Sequence, residues 1–205
     1  MAILSVVFFS SVNSIEAQGN YGGGCMNTDY ISDIPKSELN DEEKAGLILM
    51  REEEKLARDV YVTLGEKWGL PMFSNIPRSE QIHSDAVKVL LDRYDLEDPI
   101  KDDATGAFTS SELFELYKNL VAKGSVSLMD ALEVGATIED LDIKDLNELL
   151  TKTDNEDIKV TYEFLNMGSR NHMRAFSRQI NKRGGSYTPK YISSAEYDSI
   201  LSSPH

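Results

Sequence analysis

Four long segments of the chain repeat apolar residues every three or four positions, the spacing that places side chains on one face of an α-helix. The first segment has two candidate N-caps, Ser37 and Asn40, followed by acidic residues that favour the positive end of a helix dipole. Its inward face is predicted to carry Leu47, Met50, Glu54, Ala57, Tyr61, Leu64 and Trp68. We predict a helix that ends near Trp68, before the Gly-Leu-Pro sequence at 69–71.

The second segment predicts a helix from about Phe73 to Tyr94, with Pro77 in or just before its first turn, where proline is tolerated. The inward face of this helix is predicted to consist of Ile76, Glu80, His83, Val87, Leu90 and Tyr94. Glu80 and His83 are three residues apart, so a helix presents them side by side.

The third and fourth segments show the same alternation. The third begins near Ser127, and the sequence allows either a continuous helix or a break after Asp140. The fourth runs from near Asn155 to about Lys182. The inward positions are Leu128, Leu132, Gly135, Glu139, Asp142 and Leu146 in the third, and Ile158, Tyr162, Leu165, Ser169, His172 and Phe176 in the fourth. The chain therefore predicts a bundle of four long helices.

The connector between the second and third helices is unusually long for a helical bundle. Residues 95–109 are polar, and Ser110 or Ser111 can cap a short helix that ends at Gly124. No segment alternates apolar and polar residues over a useful strand length. The predicted fold class is thus all-α, a four-helix bundle with one long crossover that contains a short extra helix.

Composition limits the chain to one domain and a few kinds of function. A chain of 205 residues, 40% hydrophobic, suits a single globular core with tails. A formal net charge of -14 argues against nucleic-acid binding. The single cysteine, Cys25, excludes an internal disulfide framework and a cysteine-rich metal site. Any metal must be held by carboxylates and histidines.

The two ends of the chain are predicted to lie outside the bundle, which is expected to span residues 40–183. Residues 1–18 resemble a signal peptide too short to span a bilayer, which predicts a secreted or periplasmic protein without a stable membrane span. Residues 19–39 are predicted to be a flexible lead-in and 184–205 a C-terminal tail. Cys25 is a poor lipid-anchor site, because glycine stands three residues before it.

Polar residues interrupt the apolar faces of all four helices. The candidate metal ligands are Glu54, Glu80, His83, Glu139 and His172, with Asp142 as a weaker candidate. Several carboxylates that face one core without cations repel each other, and a divalent metal is the simplest compensation. The alternative is a hydrogen-bonded polar network with a purely structural role. Glu52 and Glu53 are interpreted as solvated.

The sequences EEEKLARDVY, SEQIH, ALEVGATIEDLDI and GSRNHMRAF together resemble the ferritin-like superfamily. The similarity covers roughly residues 40–183. It is greatest to the rubrerythrin-like branch and, within the superfamily, to a bacterial and archaeal family that carries a domain-of-unknown-function label. In that branch, helices supply a Glu, a Glu-x-x-His, one or two carboxylates and a second Glu-x-x-His to two irons.

The resemblance implies metal roles for Glu54, Glu80, His83, Glu139 and His172, and places Tyr61 and Tyr162 near the metals. Ser169 departs from the pattern, because it stands where the second Glu-x-x-His requires a glutamate. Either Asp142 replaces the missing carboxylate, or the site binds a single metal, binds a different metal or is vestigial. Iron is expected, with manganese or zinc also compatible with these ligands.

The leading functional hypothesis is an exported metal-binding protein that acts as a di-iron oxidoreductase of ferroxidase or peroxidase type. It would need an external electron donor, because the chain has no Cys-x-x-Cys. The competing hypothesis is a non-catalytic helical binding module whose polar core is inert or vestigial. Assembly into a homo-oligomer is left open.

Overall fold

The structure, a computed structural model, describes residues 21–22, 25–26 and 28–203, with side chains from residue 31 onward. The signal-peptide-like segment lies outside these residues. The helices are α1 (Thr28–Asp33), α2 (Asp41–Trp68), α3 (Met72–Arg93), α4 (Ser111–Gly124), α5 (Leu128–Leu150), α6 (Glu156–Lys182) and α7 (Ser194–Ser202). Two short strands, β1 (Tyr21–Gly22) and β2 (Cys25–Met26), pair antiparallel with Tyr21 opposite Met26. The predicted all-α class is confirmed.

The ends of α2 lie where the sequence predicts them. Asn40 is the N-cap, and its side chain accepts from the Glu43 N–H while the Glu43 carboxylate accepts from the Asn40 N–H, a reciprocal capping box. At the other end, Gly69 adopts a left-handed conformation with φ of 63° and donates to the Gly65 carbonyl. Both boundaries of α2 thus follow from local hydrogen bonding.

Helix α3 departs from the prediction at Pro77, which lies inside the helix rather than in or before its first turn. Proline has no N–H, so the carbonyl of Phe73, four residues earlier, loses its helical partner. That carbonyl faces α2 at Gly65, where an added Cβ would lie 3.0 Å from the oxygen. The glycine permits this close approach of the two helices.

Helices α5 and α6 are continuous. No break occurs after Asp140, although the sequence left one open. Ser127 caps α5 by accepting from the Asp130 N–H, and α6 begins after Asn155 as predicted. Continuity past Asp140 keeps Glu139 and Asp142 on one face of a single helix.

The four long helices pack in a closed ring, in which α2 contacts α3, α3 contacts α6, α6 contacts α5 and α5 contacts α2. Helices α2 and α5 are antiparallel, since Gly46 lies against Leu149 while Tyr61 bonds Glu139. Helices α3 and α6 are also antiparallel, since Glu80 meets His172 while Tyr94 bonds Asp157. Residues 94–127 therefore return along the length of the molecule between α3 and α5, and they contain α4.

The core consists of two apolar clusters separated by a polar layer. The first cluster includes Ala57, Leu64, Phe73, Ile76, Ala131, Leu132, Met173 and Phe176. The second cluster includes Leu47, Met50, Val87, Leu90, Leu146, Ile158, Tyr162 and Leu165. In α2, α3 and α6, the predicted polar positions fall between the residues of one cluster and those of the other. In α5, Glu139 and Asp142 lie between Ile138 of the first cluster and Leu146 of the second, although Ile143 also belongs to the first. The two clusters hold the polar layer in the middle of the protein.

Charged side chains on the outer face of α2 fix the crossover. The Arg51 guanidinium bonds the Asp98 carboxylate at 3.0 Å. The buried Asp59 carboxylate accepts from Lys55 at 2.5 Å and from the Gly106 N–H at 3.0 Å. Because these groups pair with one another and with the crossover, they do not neutralise the polar layer on the inner face.

Both predicted tails include ordered, buried residues. In the predicted lead-in, residues 28–33 form α1, and Ile31 is buried in the second cluster. In the predicted C-terminal tail, Tyr187, Ile192 and Ile200 pack into the first cluster. Among the helices that the structure describes, none is long and apolar enough to cross a membrane.

Asp140 holds the C-terminal segment against α5. It is fully buried, and its carboxylate accepts from the Tyr187 hydroxyl and from the N–H groups of Lys190, Tyr191 and Ile192. Hydrogen bonds from backbone N–H groups to an ionised carboxylate are among the stronger ones in proteins, so this single side chain fixes a segment without regular structure.

We expect Asp140→Ala to lower the free energy of unfolding by about 3 kcal/mol, because three backbone donors and a tyrosine hydroxyl lose their acceptor. Chemical denaturation measures this loss. Asp154→Ala is the matched control, because Asp154 is exposed and, among the residues that the structure describes, pairs only with the Lys159 side chain. Equal stabilities of the two variants would contradict the anchoring role of Asp140.

Candidate metal centre

Five of the predicted ligands meet in the polar layer, and they come from all four long helices. Glu54 lies on α2, Glu80 and His83 on α3, Glu139 on α5 and His172 on α6. All five are buried. They form two groups of ligand atoms that could each hold a metal ion, and Glu80 belongs to both.

The first group consists of Glu54, Glu80 and His83. The Nδ1 atom of His83 lies 2.8 Å from Glu80 Oε2 and 3.2 Å from Glu54 Oε2. The other ring nitrogen of His83, Nε2, is 3.3 Å from the Ser79 hydroxyl. The hydroxyl fixes the ring so that Nδ1 faces the carboxylates.

The second group consists of Glu80, Glu139 and His172. The Nδ1 atom of His172 lies 2.8 Å from Glu80 Oε1 and 3.6 Å from Glu139 Oε2. The two imidazole rings stack with centroids 5.7 Å apart. Each oxygen of Glu80 therefore faces a different histidine, which is the arrangement of a carboxylate placed between two sites.

Several atoms of these five residues lie close together but in geometries that do not allow a hydrogen bond. Glu54 Oε1, Glu80 Oε1, Glu139 Oε2 and His172 Nδ1 are buried and have no hydrogen-bond partner among the described residues. The 2.8 Å approach of His172 to Glu80 is thus a contact whose angles do not suit a donor and an acceptor. Buried polar atoms without partners are rare and costly, and all four belong to residues of the two groups.

The carboxylates raise the pKa of both histidines. Burial alone would lower the pKa of His83, but the Glu54 and Glu80 carboxylates outweigh it and raise the value to about 9. Burial likewise opposes the charged form of His172, and Glu80 and Glu139 raise its pKa well above the ordinary value. Both shifts favour the imidazolium form, with a proton on each ring nitrogen, in the metal-free protein.

The three carboxylates differ in their ionisation. Burial raises the pKa of Glu54 to about 7, although His83 opposes this shift. Burial also raises the pKa of Glu139, against the opposing effect of His172. For Glu80, burial is outweighed by the two imidazoles, His172 first, which together hold its pKa below the usual range. Glu80 is the most firmly ionised of the three.

Asp142 lies beside the cluster rather than inside it. It is buried on α5 but belongs to neither group of ligand atoms, and it accepts no hydrogen bond from a described residue. Burial, followed by the charges of Glu54 and Glu139, raises its pKa well above the ordinary value.

Of the two tyrosines expected near the metals, Tyr61 contacts the cluster. Its hydroxyl donates to Glu139 Oε1 at 2.6 Å. Its ring packs on Phe176, with centroids 5.3 Å apart, and Phe176 fits only because Gly135 has no side chain: an added Cβ would lie 2.2 Å from the Phe176 ring. Burial and the nearby carboxylates, Glu139 first, raise the pKa of Tyr61 well above the ordinary value.

Tyr162 and Ser169 lie away from the ligand atoms. Tyr162 belongs to the second apolar cluster, where its hydroxyl faces Gly46, and the carboxylate that acts on it is Glu43. The Ser169 hydroxyl donates to the Leu165 carbonyl at 3.2 Å within its own helix. The two carboxylates of the second group, Glu80 and Glu139, come from α3 and α5, and α6 contributes His172.

Two residues of the site do not follow from the sequence reasoning. Gly168 lies so close to His83 that an added Cβ would be 2.3 Å from two atoms of its ring. A glycine inside a helix costs about 1 kcal/mol relative to alanine, and this unfavourable choice is the signal that marks the position. Glu53, interpreted as solvated, has Oε2 buried without a partner, and burial with the Asp145 charge raises its pKa to about 8.

Comparisons with known proteins agree on one family. The family described as "Uncharacterized protein domain (DUF2202)" matches residues 43–204. "Uncharacterized protein MJ0754" of Methanocaldococcus jannaschii is 61% identical over 175 residues, which cover 85% of this chain and 95% of that protein.

The "Crystal structure of hypothetical protein MJ0754 from Methanococcus jannaschii DSM 2661" superposes with a TM-score of 0.82 at 60% identity. The alignment covers 83% of this chain and 98% of the crystallised chain. The family match extends beyond α6 and includes α7, in keeping with the burial of Tyr187 and Ile200. The chain thus belongs to the DUF2202 family of uncharacterized protein domains.

Proposed function

We propose that the protein binds one or two transition-metal ions in a ferritin-like four-helix bundle. The observation that carries this proposal is the pair of buried ligand groups, in each of which carboxylate and imidazole atoms lie within 4.8 Å of one another. Three carboxylate oxygens and one imidazole nitrogen of these residues have no hydrogen-bond partner among the described residues. The closed ring of four long helices, with a crossover along the molecule, supports the ferritin-like assignment.

The donor set fits such ions. Carboxylate oxygens and imidazole nitrogens are ligands for iron, manganese and zinc. Glu54 and His83 would hold one ion and Glu139 and His172 the other. Glu80 would bridge them, because its two oxygens face the two histidines separately. We propose iron first, with manganese or zinc as alternatives.

We further propose an oxidoreductase of ferroxidase or peroxidase type. Bound iron would supply the redox chemistry, and an external donor would supply electrons. The residues of the chain orient and protect the site: Ser79 fixes the His83 ring, and the two apolar clusters exclude water. The Tyr61 hydroxyl donates to Glu139 and thereby fixes the orientation of this ligand. Export and homo-oligomer formation stay predictions.

The first test is metal content together with metal-dependent stability. After reconstitution with Fe²⁺, the parent should retain metal and melt at a higher temperature than the apo-protein. The gain should be about 2.7 kcal/mol when free metal exceeds the Kd about a hundredfold. In the double variant Glu80→Ala with His83→Ala, the apo and metal-loaded melting temperatures should coincide.

Glu163→Gln is the matched control, because Glu163 is exposed on α6 and its charge is removed without touching the cluster. It should keep the full metal-induced shift. Retention of less than about a tenth of an equivalent of any transition metal by the parent would refute metal binding and leave the hypothesis of a non-catalytic helical module with an inert core.

The second test concerns pH. Because both pKa shifts favour the imidazolium form and Nδ1 must lose its proton to bind a cation, metal binding at pH 7 should release protons from both histidines and, in part, from Glu54, whose pKa is about 7. Affinity should therefore rise with pH until His83 is deprotonated, above its pKa of about 9. Calorimetry in two buffers of different ionisation enthalpy counts the released protons. Metal uptake without proton release would contradict the assignment of the histidines as ligands.

The third test uses Gly168. In Gly168→Ala the new Cβ would displace the His83 ring, so metal affinity should fall about tenfold. Gly46→Ala is the matched control: its Cβ would lie 2.6 Å from Leu149 and 2.9 Å from the Tyr162 hydroxyl, away from the cluster. Competition with a chelator measures both affinities. The control should lose stability yet keep the metal affinity of the parent; equal affinities in the two variants would exclude a positioning role for Gly168.

A further inference from the structure

Four carboxylates follow one another at three-residue spacing along α5, from solvent to the candidate metal centre. The exposed fraction falls from 55% at Glu148 to 16% at Asp145, 4% at Asp142 and 0% at Glu139. Side chains three apart on a helix are neighbours, so each carboxylate lies next to the following one. We call these four residues the acidic ladder.

Glu53 on α2 is close enough to the ladder for its charge to act on Asp142 and for that of Asp145 to act on it. The carboxylates that act on Glu53 include Asp145 and Glu54, and those that act on Asp142 are Glu54, Glu139, Glu53 and Glu80. Asp142 thus lies between the outer carboxylates and the ligands.

A solvated helix face does not explain this arrangement. Asp142 is almost completely buried and accepts no hydrogen bond from a described residue, and Glu53 Oε2 is likewise shielded without a partner. Burying a carboxyl group without a hydrogen-bond partner costs free energy, whether or not the group is ionised. Both side chains are therefore expected to lower stability, and a bound cation would offset this cost.

Lys144 places a positive charge beside the outer end of the acidic ladder. The Lys144 ammonium lies 2.7 Å from Asp145 and 3.0 Å from Glu148. It neutralises the ladder where the ladder meets solvent, and it would compete with a cation that arrives there. The inner part, Asp142 with Glu53, keeps its oxygens available.

We propose that the acidic ladder, together with Glu53, is the path by which divalent cations move from solvent to the buried ligands, and that Lys144 limits access to it. Carboxyl groups at successive positions offer an ion a new oxygen before it leaves the previous one, and oxygen is the ligand atom that divalent cations such as Mg²⁺, Ca²⁺ and Mn²⁺ prefer. This proposal rests on the proposed metal binding and assigns Asp142 to the path rather than to the ligand set.

Rapid mixing of the full-length apo-protein with Co²⁺ tests the path. The ligand-field absorption of bound Co²⁺ gives the rate of loading and, from its final amplitude, the amount bound. Glu53→Gln and Asp142→Asn should slow loading roughly fivefold and keep the amplitude of the parent, because the ligands remain. Lys144→Gln should accelerate loading. Circular dichroism verifies that each variant is folded.

Glu163→Gln is again the control, since it removes a carboxylate charge from the surface of α6, and it should load at the parental rate. Parental rates in both Glu53→Gln and Lys144→Gln, at full amplitude, would overturn the path while leaving metal binding intact. Loss of amplitude in Asp142→Asn would instead make Asp142 a ligand. If the parent itself binds no Co²⁺, the proposed metal binding fails and the path fails with it.

Discussion

The structure depends on the burial of carboxylates and imidazoles in one layer between two apolar clusters. Removing a single ionised group from water is expensive, and this layer contains three carboxylates and two imidazoles within contact distance. Without a metal, protons provide the compensation: both histidines hold theirs more tightly, and Glu54 and Glu139 are harder to ionise. A divalent cation satisfies the same oxygens and nitrogens together, which protons do only in part.

The rest of the molecule keeps this layer in place, and the side chains of Arg51, Lys55 and Arg58 on α2 pair elsewhere. Lys55 and Arg58 bond Asp59, and Arg51 bonds Asp98, so the cations of α2 serve the outer face and the crossover. Glycines permit the close contacts that orient the inner face, since Gly168 admits the His83 ring and Gly135 admits Phe176 beneath Tyr61. The glycines lower the helix propensity of the segments around the candidate ligands. The outward pairing of the lysine and arginine side chains leaves the inner carboxylates without such partners among the described residues.

The ligand set is asymmetric, and the asymmetry has a structural origin. Helix α6 contributes His172 but no carboxylate, because residue 169 is a serine, whose hydroxyl bonds within its own helix. Glu139 on α5 lies beside His172, and Tyr61 on α2 fixes the orientation of Glu139. Five residues, rather than six, thus form two groups that share Glu80. Asp142, the predicted sixth ligand, is buried on α5 but belongs to neither group.

The sequence by itself determined the helices and their inward faces, because capping residues, turn residues and the period of apolar positions are local properties. It therefore identified Glu54, Glu80, His83, Glu139 and His172 as inward-facing. Only the tertiary structure decided which atoms meet, that Tyr162 lies in the other cluster and that Glu53 is shielded. It also decided that the C-terminal segment completes the core through Asp140. Those outcomes depend on how distant segments pack, and helical periodicity reveals which face is buried but not what lies against it.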